Sequence, residues 1–150
     1  MRVDVQLCWK PFGVIEHDGA PLVVNPSLEA KPGVYQLVFR HDRRERRYIG
    51  EAENLKQRFI KYCSPGVSQS TNRRMNDRAR RVLHADGRVE ILLASDIRFT
   101  VDGTEYPADL ESPFSRRFIE NAALVELLTT NSGIVNGKGY GDCRLDEVLA

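Results

Sequence analysis

The order of elements written into this chain predicts an α+β fold: a small antiparallel sheet of about three strands, flanked by helices and preceded by an N-terminal β extension. Three observations carry that expectation. Residues 34–39 and 46–49 are β-rich runs joined by a short charged connection. Three stretches with helical periodicity follow them. A further β-rich run, Val89-Glu90-Ile91-Leu92-Leu93, lies between the second and third of these. A length of 150 residues suits one ordinary domain, so we expect a single domain over 1–150. With 41% hydrophobic and 29% charged residues, 11 Gly and 7 Pro, the chain is not disordered, collagen-like or a repeat array.

Residues 1–30 form the extension. Val3-Asp4-Val5-Gln6-Leu7 alternates apolar and polar as a half-buried strand does. Val14-Ile15-Glu16 and Pro21-Leu22-Val23-Val24 flank Asp18-Gly19, a hairpin signal. The clearest hairpin follows: Val34–Phe39 goes out, Arg46-Arg47-Tyr48-Ile49 returns, and Gly50 is expected to end the second strand. Leu55 and Phe59 at i, i+4 predict a helix over 53–62, stopped by Pro65-Gly66. Ser70-Thr71-Asn72 supplies capping side chains for a basic helix over 73–84. Beyond the strand at 89–93, residues 95–112 read as a loop-rich insert containing an Asp102-Gly103 turn. Ser112-Pro113 then reads as an N-cap with proline at the first helical position. Phe114, Phe118, Ala122 and Val125 form the apolar stripe expected to bury that last helix, which ends near Thr130. The segment from Gly133 to Gly141 is glycine-rich.

No apolar run approaches the ~20 residues that span a bilayer, and Asp4 stands where a signal peptide would be apolar. A soluble, cytoplasmic protein is the expectation. Cys8, Cys63 and Cys143 are odd in number and far apart. Neither a CxxC pair nor a histidine cluster accompanies them, which suits a reduced compartment better than a zinc site. The net charge of +1 conceals a division. Between Arg40 and Arg81 thirteen Lys or Arg face five Asp or Glu, a net of +8 that leaves −7 for the rest of the chain. Arginine supplies 17 of the 22 basic residues, and its planar fork binds phosphate in bidentate fashion. One basic stretch in a near-neutral chain points to a localised polyanion site, or else to a solvated helix face laced with salt bridges.

Four features converge on chemistry. Gly33-Val34-Tyr35 lies on the first strand of the hairpin and Tyr48-Ile49-Gly50 on the second, with thirteen residues from tyrosine to tyrosine. Arg58 stands eight residues past Gly50, and Tyr62 one helical turn later. An acid, Glu120, interrupts the apolar pattern of the last helix. In this order and spacing the set resembles the GIY-YIG nuclease family, over about residues 31–138. The run from Tyr48 to Arg58 is similar to that family's strand-to-helix segment. The resemblance implies a catalytic arginine at Arg58, a conserved-type tyrosine or histidine position at Tyr62, a metal-binding glutamate at Glu120, and a closing asparagine at Asn136. Glu126 is a second acid on the same helix, about 120° from Glu120, so the helix register decides the ligand. Glu120 is preferred because Glu-Asn and the distance to Asn136 look more like the family.

The implied activity is metal-dependent hydrolysis of a DNA phosphodiester, leaving 5′-phosphate and 3′-hydroxyl ends. One Mg²⁺ or Mn²⁺ on Glu120 would offset charge on the leaving oxygen. Arg58 would hold a non-bridging oxygen. Tyr35 would take the proton of the attacking water, with Tyr48 and Tyr62 orienting water or phosphate. Tyr35 and Tyr48 equally fit plain sheet aromatics paired across strands. Gly33 and Gly50 suit close backbone approach beside a phosphate, or simple turn punctuation. For DNA, duplex in preference to single strand, the basic helix is the expected track. Arg74, Arg78 and Arg81 at i, i+4, i+7 would form one basic face, with Asn72, Arg73 and Lys61 near the active edge. Two other classes compete: a nucleic-acid-binding module on the same scaffold without cleavage, and a covalent tyrosine enzyme. Specificity would come from residues 1–30, the 95–112 insert, a homodimer, a separate partner or DNA structure.

Overall fold

The computed structural model describes residues 1–17, 19 and 21–130. The extension supplies β1 (Val3–His17) and β2 (Leu22–Asn25). The hairpin is β3 (Gly33–His41) and β4 (Arg44–Ala52), followed by α1 (Leu55–Cys63) and α2 (Ser70–His84). Then come β5 (Arg88–Val101), β6 (Thr104–Pro107) and α3 (Pro113–Thr129). The α+β class is as the sequence predicts, but the sheet is twice the expected size. Among the described residues six strands pair antiparallel in the order β2-β1-β5-β3-β4, with β6 on β5.

Two strands account for the difference. β1 is fifteen residues long and pairs with β5 from Val3↔Val101 to Ile15↔Val89, with register shifts between Gln6 and Cys8 and between Pro11 and Gly13. β5 does not stop at Leu93; it runs on to Val101 and turns through Asp102-Gly103, both at positive φ (48° and 85°), into β6. Two left-handed residues in a two-residue loop match the twist of a hairpin. The expected loop-rich insert is therefore largely strand. Gly50 likewise does not end β4, which continues through Glu51 and Ala52 against Val34 and Gly33.

Helices cover both faces. Tyr35, Leu37 and Phe39 alternate onto one face with Leu93, Ile91 and Val89 beside them in β5. There they meet Leu55, Phe59 and Tyr62 of α1 and Met75, Ala79 and Val82 of α2. The opposite face presents Val34 and Ile49 to Ile119, Ala123, Leu124 and Leu127 of α3. This corrects the predicted stripe of α3: Phe114, Phe118 and Val125 are exposed, and the buried run is Ile119-Ala123-Leu127 at i, i+4, i+8. Both faces of α3 carry apolar residues, so periodicity alone selects the wrong one.

Local chemistry fixes the helix ends. Asn54 Oδ1 accepts the Gln57 N–H (3.0 Å), while the Leu55 and Lys56 N–H groups donate to the carbonyls of Lys31 and Glu29. Three first-turn donors are thereby satisfied. Ser112 caps α3 through Ser115 N–H (3.3 Å), with proline next, as expected. α2 begins three residues earlier than predicted and has no side-chain cap. Buried Asn76 donates to the carbonyls of Tyr62 and Cys63 (2.7 and 3.1 Å) and so ties α2 to the open end of α1. Among the described residues no helix is long and apolar enough to cross a membrane.

Candidate active site at the edge strand

β4 is an edge strand, and the site straddles it. Strand alternation sends Tyr48 and Gly50 to the α1 side and Glu51 to the α3 side. α1 contributes Arg58 and Tyr62 on the first side; α3 contributes Glu120 on the second. Tyr35 comes from the neighbouring strand, directly opposite Gly50. Its ring crosses that glycine so closely that a Cβ there would stand 2.5 Å from the phenol oxygen and 2.6 Å from Cζ. Gly50 is thus required by contact with Tyr35. Gly33 sits under the flexible end of Leu55, 2.7 Å from where its Cβ would be.

The three tyrosines form a triangle with ring centroids 6.2–6.4 Å apart, and Phe59 packs edge-on against two of them. Tyr35 and Tyr62 are buried and joined by a hydrogen bond between their hydroxyls; Tyr48 is partly exposed. Burial first, and then the neighbouring Tyr48, push the Tyr35 pKa well above that of an ordinary phenol, against the Tyr62 hydrogen bond and the Arg58 charge. Tyr62 is raised for the same first reason. Tyr35 therefore stays neutral at physiological pH and faces protein on all sides. Arg58 is half-buried. Burial works against its charge, and the surrounding phenols and Glu51 outweigh it.

Glu120 is half-buried and its pKa is raised, by burial first and by Glu51 second, against the pull of Arg58 and Arg117. Glu126 points elsewhere. It is exposed and shares a hollow with Val5, Gln6 and Leu7 of β1, three strands away from β4. Sequence reasoning missed Glu51 and Arg116. Arg116, 4% exposed, bridges to Glu51 (Nε–Oε2 2.6 Å) and donates from Nη1 to the carbonyls of Leu110 and Glu111. It fastens the start of α3 to the end of β4, one helical turn before Glu120. Only relative position marks the pair in the sequence: Glu51 shares its strand face with Ile49, and Arg116 lies at i−4 from Glu120.

The expected basic face of α2 is broken. Arg78 is 2% exposed, its guanidinium 5.9 Å from the Phe39 ring centroid, because its long apolar stem packs on the sheet. Arg74 is half-buried, whereas Arg73 and Arg81 are exposed, as is Lys61 on α1. Arg73 reaches the Val67 carbonyl (3.2 Å). Asn72 is buried and donates to Gln69 Oε1 (2.8 Å), which removes it from the surface role predicted for it. Asn136 lies outside the described residues.

Among the described residues no group of three or more His, Cys, Asp or Glu could hold a metal ion. A hard ion that keeps most of its waters needs fewer protein ligands. Glu120 fits that need: an oxygen donor beside a second carboxylate, with a charge that its surroundings leave undercompensated. No protein-family model, curated protein or solved structure matches the chain.

Proposed function

We propose that the chain is a metal-dependent DNA endonuclease of the GIY-YIG kind, hydrolysing phosphodiester bonds to 5′-phosphate and 3′-hydroxyl ends. The observation that carries this reading is convergence. Tyr35, Tyr48, Arg58, Tyr62 and Glu120 come from four elements and meet at one edge strand, close enough for their charges to perturb one another. Arg58 holds a non-bridging phosphate oxygen and stays cationic throughout. Tyr48, the partly exposed phenol, orients the attacking water, whose proton passes to solvent while the departing 3′ oxygen takes one up from solvent. Tyr35 and Tyr62 hold Tyr48 and Arg58 in place; the burial of Tyr35 moves the water-facing role away from it. A divalent ion on Glu120 would supply charge compensation at the leaving oxygen. Lys61, Arg73 and Arg81 are the exposed cations assigned to DNA phosphates.

The binding-module alternative draws on one observation, the enclosure of Tyr35 and its bond to Tyr62. End analysis of a labelled duplex incubated with Mg²⁺ or Mn²⁺ separates the readings. The endonuclease reading expects ligatable nicks and no protein–DNA adduct. Retention of the duplex without products would favour the module, and a trapped adduct would contradict hydrolysis.

A further inference from the structure

The outer face of α3 is apolar and open. Phe114, Phe118, Val125 and Leu128 are 80%, 37%, 59% and 47% exposed. With exposed Asn121 between them the spacing is 4, 3, 4, 3, that of an a/d seam. This face lies opposite Ile119, Ala123 and Leu127, which pack on the sheet. A helix apolar on both sides is one that is covered on both sides. Beside the N-terminal half of the seam lies a hollow of about 350 Å³ lined by Val3, Phe99, Val101, Tyr106, Phe114 and Phe118.

We propose that this face is an interface between two copies of the chain, with α3 packed antiparallel on α3 about a two-fold axis at Asn121. The seam is self-complementary about that residue. Phe114 and Leu128 stand seven positions to either side, and Phe118 and Val125 three and four. An antiparallel pair therefore sets each phenylalanine of one copy against an aliphatic side chain of the other. It also brings Leu128 of each copy to the hollow beside Phe114 of its mate, the isologous arrangement that two-fold symmetry requires. Asn121 meets its own copy at the axis, where an amide supplies both donor and acceptor. A parallel pair would instead stack phenylalanine on phenylalanine and bring neither hollow a partner. With Tyr106 and Val3, the exposed apolar surface comes to roughly 500 Å² per copy. That is at the upper end for a monomer's largest patch, and with a polar rim it approaches the ~800 Å² per partner of a stable interface. Glu120 lies off the seam, towards β4, so pairing leaves the candidate site open and carries two such sites on one helix pair.

Sedimentation equilibrium of the full chain over about 1–100 µM tests this independently of any activity. We expect a mass of twice 17.0 kDa for the unaltered protein and 17.0 kDa for Val125→Glu, an exposed position whose substitution leaves the core intact. Under mild oxidation Asn121→Cys should give a disulfide-linked dimer above the background of the unaltered chain, and Leu128→Cys should not. A monomer across the whole range would overturn the proposal, and is the result if residues 131–150 or another protein cover the face. A Val125→Glu variant that stays dimeric, or cross-linking by Leu128→Cys and not by Asn121→Cys, would overturn it too.

Discussion

At Gly50 a single methyl group decides whether the tyrosine triangle can form. Alanine there would push on the Tyr35 hydroxyl and Cζ, which Phe59 and Tyr62 hem in. Crowding of this kind costs about 1–3 kcal/mol, so urea unfolding should show Gly50→Ala destabilised by that amount. Gly33→Ala should lose less, since Leu55 has a rotatable end to withdraw. Equal losses would mean that Tyr35 does not need the glycine. Glu120 gives a second test. A carboxyl whose folded pKa is raised binds more protons folded than unfolded, so its contribution falls as pH climbs from the unfolded value of about 4.3 through the raised one. Glu120→Gln should therefore raise the Tm of the metal-free protein at pH 7 and leave it nearly unchanged at pH 4. A lower Tm at pH 7 would show that the carboxylate is satisfied where it stands. That Tyr35, Tyr48, Arg58 and Tyr62 share one neighbourhood was legible in the sequence, because a hairpin and the helix after it hold them at short spacings. The enclosure of Tyr35 was not, because it depends on packing by α1.

Among the elements, α3 was the least legible. Its two apolar faces have the same period, and only the sheet's own pattern distinguishes them. Arg116 was hidden for a related reason: an arginine between Ser115 and Arg117 reads as surface, yet here it is the clamp on β4. Removing one partner of a buried ion pair costs about 3–5 kcal/mol. Arg116→Met should approach the lower end, since Arg117 remains 4.0 Å from Glu51. Replacing both Arg116 and Glu51 with apolar residues should cost less than Arg116→Met alone. If the double variant is the weaker, Glu51 stabilises the fold through a partner other than Arg116, such as Arg117. In α2, Arg78 shows the same limit. Charge counted along a helix says nothing about which guanidinium lies down on an aromatic ring, so exposed Arg81→Ala should weaken DNA retention without loss of stability, while Arg78→Ala should lower the unfolding free energy.

Across the whole molecule, the α+β class, the β3–β4 hairpin and all three helices were written in periodicity and punctuation. The size of the sheet was not, because the pairing of β1 with β5 joins residues 74 to 98 positions apart and no local signal records it. That long pairing gives β3 a firm neighbour on one side and leaves β4 as the edge, with α1 and α3 on opposite faces to bring Arg58 and Glu120 together across it. The central claim is that this edge is one catalytic site. The most direct measurement is conversion of supercoiled plasmid by the unaltered protein, Arg58→Ala and Glu120→Ala, each with Mg²⁺, Mn²⁺ or EDTA. The account predicts metal-dependent nicking or linearisation that EDTA abolishes and that both substitutions remove, with Glu126→Ala still active. Cleavage that survives Glu120→Ala, or plasmid that is bound and never cut with either metal, would contradict it.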